Sequence, residues 1–128
     1  LVKLETKRQI HLSHSRDIRL PMRWISILRG NVNLNFAASG GVHSAKDVLK
    51  LVMSGADVTM LTSALMAYGP ELIKTIEADL ITWMDENEYQ SISQMKGSMS
   101  LIHSPKPQTL VRDNYMRTLL DFQANNKF

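Results

Sequence analysis

The sequence predicts an α/β fold with parallel strands. Two short strand-like segments, residues 32–38 and 57–62, are separated by a helical segment, and further helical segments follow. Strands joined by a crossover helix pair in parallel, and such units build open doubly wound sheets or (β/α)8 barrels. A complete barrel needs about 250 residues. The 128 residues present here supply about half of one, and two strands are too few for a stand-alone sheet of either kind. The sequence therefore predicts part of a larger α/β fold, folded as one unit over residues 1–128.

The first helix is predicted over residues 20–30. Pro21 suits the first helical position, and Gly30 suits the residue just past the end. Trp24 and Leu28 follow helical spacing, so we expect Trp24 to lie in the core.

The second helix has a clear N-terminal signal. Ser44 is followed three residues later by Asp47, which is the pattern of a capping box. The helix is predicted to run to about Met53 and to end at Ser54–Gly55. Its apolar side is formed by Val48, Leu49, Leu51 and Val52.

The remaining chain is predicted to be helical, with Trp83 in the core. The predicted helices cover residues 63–67, 70–86, 91–96 and 109–122, and residues 104–108 form a linker to the last of them.

Composition excludes several classes of protein. The chain has no cysteine, 44% hydrophobic and 21% charged residues, so disulfides, thiolate metal sites and wholesale disorder are excluded. Residues 1–30 hold seven basic and two acidic side chains, but these lack the interleaved aromatics of a nucleic-acid surface, so we expect no nucleic-acid partner. No membrane span or signal peptide is evident, and a cytoplasmic location is expected. Because the chain begins at Leu1 without Met, we expect it to be a piece of a longer protein.

Two loops carry the chemistry. Ser39, Gly40 and Gly41 follow the first strand, and Thr62 and Ser63 follow the second. Paired glycines let backbone N–H groups face an anion, and a helix start favours negative charge. Since phosphate sites in (β/α)8 enzymes use consecutive loops of this kind, the spacing predicts a phosphate cradle.

These motifs resemble the C-terminal part of dihydroorotate dehydrogenases, close to the bacterial class 1-like branch. The resemblance covers about residues 4–120. Its glycine motifs are shared with other FMN- and phosphate-binding barrels, whereas its first-helix and closing-helix segments are more specific. The segments that carry it are 38–48, 55–58, 63–65, 69–70, 20–25, 83–97 and 114–116.

The resemblance implies the C-terminal part of an FMN-binding (β/α)8 barrel with additional C-terminal helices. Gly40 and Gly41 would hold the FMN phosphate, with Ser39 beside them and Thr62 and Ser63 on the facing loop. The family commonly has glycine where this chain has Thr62. The longer protein of which this chain would be a piece would oxidise dihydroorotate to orotate in pyrimidine biosynthesis, passing a hydride to the flavin.

The resemblance also implies that the catalytic base and the flavin-contacting lysine lie upstream of this chain. We therefore expect no catalytic residue here and no activity from the chain alone. A homo-oligomer is one expectation, because a partial barrel leaves strand edges unpaired. The alternatives are another phosphate- or FMN-binding barrel enzyme, or a non-catalytic remnant that acts as an interaction module.

The histidines are ambiguous in sequence. His43 follows the glycine pair and either faces the phosphate or points to solvent. His11 and His14 have a spacing that can bind metal on a helix, but no third ligand is evident, so no metal site is predicted.

Overall fold

The computed structural model describes residues 10–105 and residue 107. A 3₁₀ turn (Ser15–Ile18) leads directly into the first helix, and a second 3₁₀ turn (Leu101–His103) closes the described chain. Between them lie α1 (Arg19–Leu28), β1 (Ala37–Ser39), α2 (Ala45–Ser54), β2 (Val58–Met60), α3 (Ser63–Tyr68), α4 (Leu72–Glu86) and α5 (Ile92–Met95). The mixed α/β architecture with parallel strands is confirmed. The predicted helix over 109–122 lies outside the described residues.

The two strands form a small parallel sheet. Ala37 lies opposite Val58, and Ser39 lies opposite Met60. The first strand is shorter than predicted, since residues 32–36 are not part of it. Polar Asn33 and Asn35 alternate with apolar side chains there, but a strand needs a hydrogen-bonded partner, and the pairing with the second strand begins only at Phe36.

Helix α2 connects the strands and carries much of the core, as predicted. Val48, Leu49, Leu51 and Val52 are all buried, and Leu51 has no exposed surface. Gly55 ends the helix with a positive φ of 122°, and its N–H donates to the carbonyl oxygens of Leu51 and Val52. Residues that carry a Cβ atom rarely adopt this backbone conformation, which explains why a glycine occupies position 55.

Helix α1 packs on α2 through a different face from the one predicted. Ile18 and Ile25 are buried, whereas Trp24 is 54% exposed. The prediction that Trp24 lies in the core is therefore wrong for the described chain. The buried positions follow i, i+7 spacing from the 3₁₀ turn, which places Trp24 beside the contact surface rather than within it. Pro21 is the third helical residue, still within the first turn, where a missing N–H costs nothing.

The later helices close over α2. Ile76 of α4 and Met95 of α5 are buried, and Trp83 packs against the core as predicted. Trp83 also stacks on Tyr89, with ring centroids 5.6 Å apart. Within the described residues, every helix is too short or too polar to cross a lipid bilayer.

Candidate functional site: two loops at one edge of the sheet

The two predicted loops leave the same edge of the sheet. Because β1 and β2 are parallel and in register, Ser39 and Met60 are paired at their carboxyl ends. The next residues of each strand therefore begin close together, with the glycine pair on one side and the start of α3 on the other.

Gly40 and Gly41 have positive φ values of 91° and 79°. Their surroundings differ sharply. Among the residues that the structure describes, a Cβ added at Gly40 would meet no atom within 4 Å, whereas one added at Gly41 would meet the backbone nitrogen of Ile18 and lie 2.9 Å from the carbonyl oxygen of His14. Gly40 thus borders open space, and Gly41 is required by the close approach of the 3₁₀ turn.

Ser13 joins the two loops. Its hydroxyl accepts a hydrogen bond from the Gly41 N–H at 3.2 Å and lies 3.0 Å from the hydroxyl of Ser63. Its own backbone N–H donates to Ser63 Oγ at 2.9 Å. The glycine loop and the start of α3 therefore meet at one small polar residue.

Thr62 and Ser63 take different positions at the second loop. Thr62 is the N-cap residue of α3, but its side chain makes no cap hydrogen bond, and the residue is exposed. Ser63 is half-buried and accepts the Ser13 bond. Of the two hydroxyls predicted to face the anion, the structure brings only that of Ser63 to the junction with Gly41.

His43 lies at the same junction. Its Nε2 atom is 2.8 Å from the Ser13 carbonyl oxygen. Since a carbonyl oxygen only accepts, this nitrogen carries a proton and donates it. The ring therefore holds the Ser13 backbone in place, which favours a structural contact over a free, solvent-facing histidine.

The start of α2 is fixed by the Ser44 N-cap. The Ser44 hydroxyl accepts the Asp47 N–H at 3.3 Å and donates to the Asp47 carboxylate at 2.9 Å. That carboxylate also accepts a hydrogen bond from the backbone N–H of His43 at 3.1 Å. The Ser44 N-cap predicted from sequence is confirmed, but the Asp47 carboxylate accepts from the backbone N–H of His43 and not from that of Ser44, as a capping box would require. These bonds fix the backbone that follows the glycine pair.

At the other end of the strands, Asp57 ties three segments together. Its carboxylate accepts from Lys96 Nζ at 2.7 Å, from the Phe36 N–H at 2.9 Å and from Arg29 Nη1 at 3.0 Å. The hydrogen bond from Lys96 is the main cause that holds the pKa of Asp57 below its ordinary value. The hydrogen bond from the Phe36 N–H and the positive charges of Arg29 and Lys96 lower the pKa further, whereas partial burial of the carboxylate raises it. This contact fixes where β2 starts relative to β1.

Ser13 was not among the residues predicted from sequence. It lies in an irregular segment, 28 residues from Gly41 and 50 from Ser63. A single serine has no periodicity, and contacts at such separations leave no local pattern. The only available signal was that the run Ser13–Ser15 is rich in polar side chains before a helix.

Comparison with known proteins finds similar sequences and a similar solved structure within one group of enzymes. No protein-family model matches the chain. The dihydroorotate dehydrogenase B (NAD(+)) catalytic subunit of Thermoplasma volcanium is 28% identical over 76 residues, which cover 59% of this chain and 25% of that protein. The dihydroorotate dehydrogenase (quinone) of Sulfurimonas denitrificans is 36% identical over 59 residues, covering 46% and 17%.

The chain is similar to dihydroorotate dehydrogenases. A crystal structure of the Eimeria tenella dihydroorotate dehydrogenase in complex with ferulenol superposes with a TM-score of 0.60 at 18% identity, and it covers 73% of this chain and 24% of that one. The resemblance to this family that the sequence motifs predict is thus confirmed. The chain spans a quarter or less of the length of these dihydroorotate dehydrogenases.

Proposed function

We propose that this chain forms the C-terminal part of the (β/α)8 barrel of an FMN-dependent oxidoreductase related in activity to dihydroorotate dehydrogenase. Its role is to hold the FMN phosphate with Ser39, Gly40, Gly41, Thr62 and Ser63. The observation that carries the proposal is the meeting of Gly41 and Ser63 at Ser13.

The residues at this junction are compatible with a phosphate group. Gly40 leaves open space where a side chain would stand, and it adopts a conformation that lets the backbone approach a ligand. The hydroxyls of Ser13 and Ser63 are half-buried, so they are reachable and yet partly shielded from water. Hydrogen bonds from such groups to an ionised phosphate are about twice as strong as those between neutral partners.

FMN, when bound, supplies the hydride acceptor for the oxidation of dihydroorotate to orotate. The part played by this chain is to bind and orient the phosphate end of the cofactor. The proton-accepting side chain is expected in another part of the complete polypeptide, so the chain alone is expected to be inactive.

A second candidate function is a non-catalytic interaction module. It is favoured by the exposed apolar side chains of the small sheet, since Val58 and Met60 are 56% and 51% exposed. Such a surface on a sheet edge favours association with another chain. Another phosphate- or FMN-binding barrel enzyme is the remaining alternative.

The deciding experiment measures FMN binding by flavin fluorescence. It uses the complete polypeptide, of which this chain is proposed to form the C-terminal part. The variant of choice is Gly40→Asp, because it adds negative charge at the proposed phosphate position, where an added Cβ meets no atom of the described residues within 4 Å. Gly69→Asp is the matched control, since Gly69 also has positive φ (80°) and open surroundings but lies at the far end of α3.

Three outcomes separate the candidates. Stoichiometric FMN that is lost in Gly40→Asp but not in Gly69→Asp, and that bleaches on adding dihydroorotate, supports the full proposal. FMN that binds to the unchanged polypeptide but does not bleach on adding dihydroorotate supports a different FMN oxidoreductase. A complete polypeptide that binds no FMN contradicts the proposal and supports the interaction module.

A further inference from the structure

Ser13 makes more contacts at this junction than its size suggests. Its hydroxyl contacts the Gly41 nitrogen and Ser63 Oγ, its N–H donates to Ser63 Oγ, and its carbonyl accepts from His43. One residue thereby connects the segment before α1 to both loops of the proposed phosphate site.

Counting protons at the Ser13–Ser63 pair shows that one donor is left over. The two hydroxyls bring two protons, and the single contact between their oxygens uses one of them. The other polar contacts of the pair, from the Gly41 and Ser13 N–H groups, arrive at oxygen lone pairs and use no hydroxyl proton. One O–H therefore remains able to donate outward.

The direction of the contact between the two hydroxyls identifies that proton, because Ser13 Oγ is the donor and Ser63 Oγ is the acceptor. Ser63 Oγ already accepts the Ser13 N–H. When it also accepts the Ser13 O–H, both of its lone pairs are engaged, and its own proton is turned away from Ser13. In this arrangement Ser13 orients the Ser63 hydroxyl as a donor.

We propose that Ser13 is a positioning residue of the phosphate site, holding Ser63 and the Gly41 loop so that the hydroxyl pair presents one O–H to a phosphate monoester. This inference rests on the proposed function of the same site. The ligand class follows from the chemistry, because an ionised phosphate only accepts hydrogen bonds and can accept one from the remaining O–H.

The proposal separates phosphate recognition from flavin recognition. Ser13 acts at the phosphate end, so its hydroxyl matters for FMN and not for riboflavin, which has no phosphate. Ser13→Ala keeps the backbone N–H and carbonyl, and with them the bonds to Ser63 and His43. The variant therefore removes only the hydroxyl contacts.

The experiment titrates FMN and riboflavin into the complete polypeptide and follows quenching of flavin fluorescence. For Ser13→Ala we expect the Kd for FMN to rise about tenfold, which is the effect of one lost charge-assisted hydrogen bond. The Kd for riboflavin should stay within about twofold of the starting value. Ser26→Ala is the matched control, because within the described part of the chain the Ser26 hydroxyl bonds only the nearby Arg23 carbonyl, and it should change neither constant.

A double-mutant cycle tests whether Ser13 acts through Ser63. If it does, Ser13→Ala combined with Ser63→Ala binds FMN no more weakly than Ser63→Ala alone. Additive losses overturn the positioning role, as does an unchanged FMN affinity in Ser13→Ala or an equal loss for riboflavin. A starting polypeptide that binds FMN no better than riboflavin overturns the proposed phosphate site itself, and this inference with it.

Discussion

Lys96 Nζ and Asp57 Oδ1 lie 2.7 Å apart, and this ion pair joins the end of α5 to the start of β2. Arg29 reaches the other oxygen of the same carboxylate from the end of α1. The Asp57 side chain is only 16% exposed, so solvent screens these contacts less than it screens a surface pair. The carboxylate therefore connects three segments that are distant in sequence.

We expect Asp57→Asn to lower the free energy of unfolding by about 2 kcal/mol at neutral pH, because it leaves two cations without their partner. The pKa of Asp57 is lowered in the folded chain, mainly by Lys96. Its stabilising effect is thus complete above the ordinary carboxyl pKa of about 4 and is lost as the pH falls through the lowered folded value.

Urea unfolding of both proteins across this pH range measures the effect. The difference between wild type and Asp57→Asn should shrink as the solution is made acidic. Asp79→Asn, which changes an exposed carboxylate on α4, should have little effect at any pH. A difference that stays constant down to about pH 2 would show that the charge of Asp57 is not the cause.

The two glycines of the first loop should respond differently to alanine. Both have positive φ, so each substitution carries a conformational cost of about 1 kcal/mol. Gly41→Ala also drives a Cβ into the backbone of the 3₁₀ turn, and we expect a total loss of about 3 kcal/mol or more. Thermal unfolding of the pair measures this contrast, and equal losses would refute the close contact at Gly41.

The cap of α2 gives a third prediction. Ser44→Ala removes the acceptor for the Asp47 N–H and should cost about 1 kcal/mol. Asp47→Ala keeps that backbone bond but should cost more, because it removes the buried carboxylate that accepts from both the Ser44 hydroxyl and the His43 backbone N–H. Ser91→Ala at the four-residue helix α5 serves as the comparison and should cost less. Chemical denaturation midpoints report all three, and an Asp47→Ala loss below that of Ser44→Ala would contradict this account.

Leu51 provides a test of the core. It has no exposed surface, so Leu51→Ala should cost about 2–5 kcal/mol. Leu34 is 67% exposed, and Leu34→Ala should be nearly neutral. Denaturant unfolding of the two variants compares the same chemical change at a buried and an exposed site.

The isolated 128-residue chain is expected to self-associate. Val58 and Met60 expose apolar surface on a two-stranded sheet whose edges have no further strand in the described part of the chain. Size-exclusion chromatography over a range of concentrations should show a rising apparent mass. A monodisperse monomer that unfolds cooperatively would show that these edges need no partner.

Local sequence signals predict correctly those structural features that depend on contacts between residues close together in the chain. The Ser44–Asp47 cap and the Gly55 stop are both contacts within one or two helical turns, and both were predicted correctly. The burial of Trp24 was not, because helical spacing defines a face but not which neighbour covers it. The short extent of β1 and the role of Ser13 depend on partners 20 to 50 residues away, which no local pattern encodes.

The crowding at Gly41 bears on how related sequences are interpreted. The backbone of residues 14–18 would exclude a side chain there whether or not a cofactor ever binds. A descendant that had lost its flavin would still be under pressure to keep that glycine, so its presence would be poor evidence of cofactor use. Gly40 shares the positive φ, but an added Cβ there meets no atom of the described residues within 4 Å, so it is the position whose replacement would record such a loss.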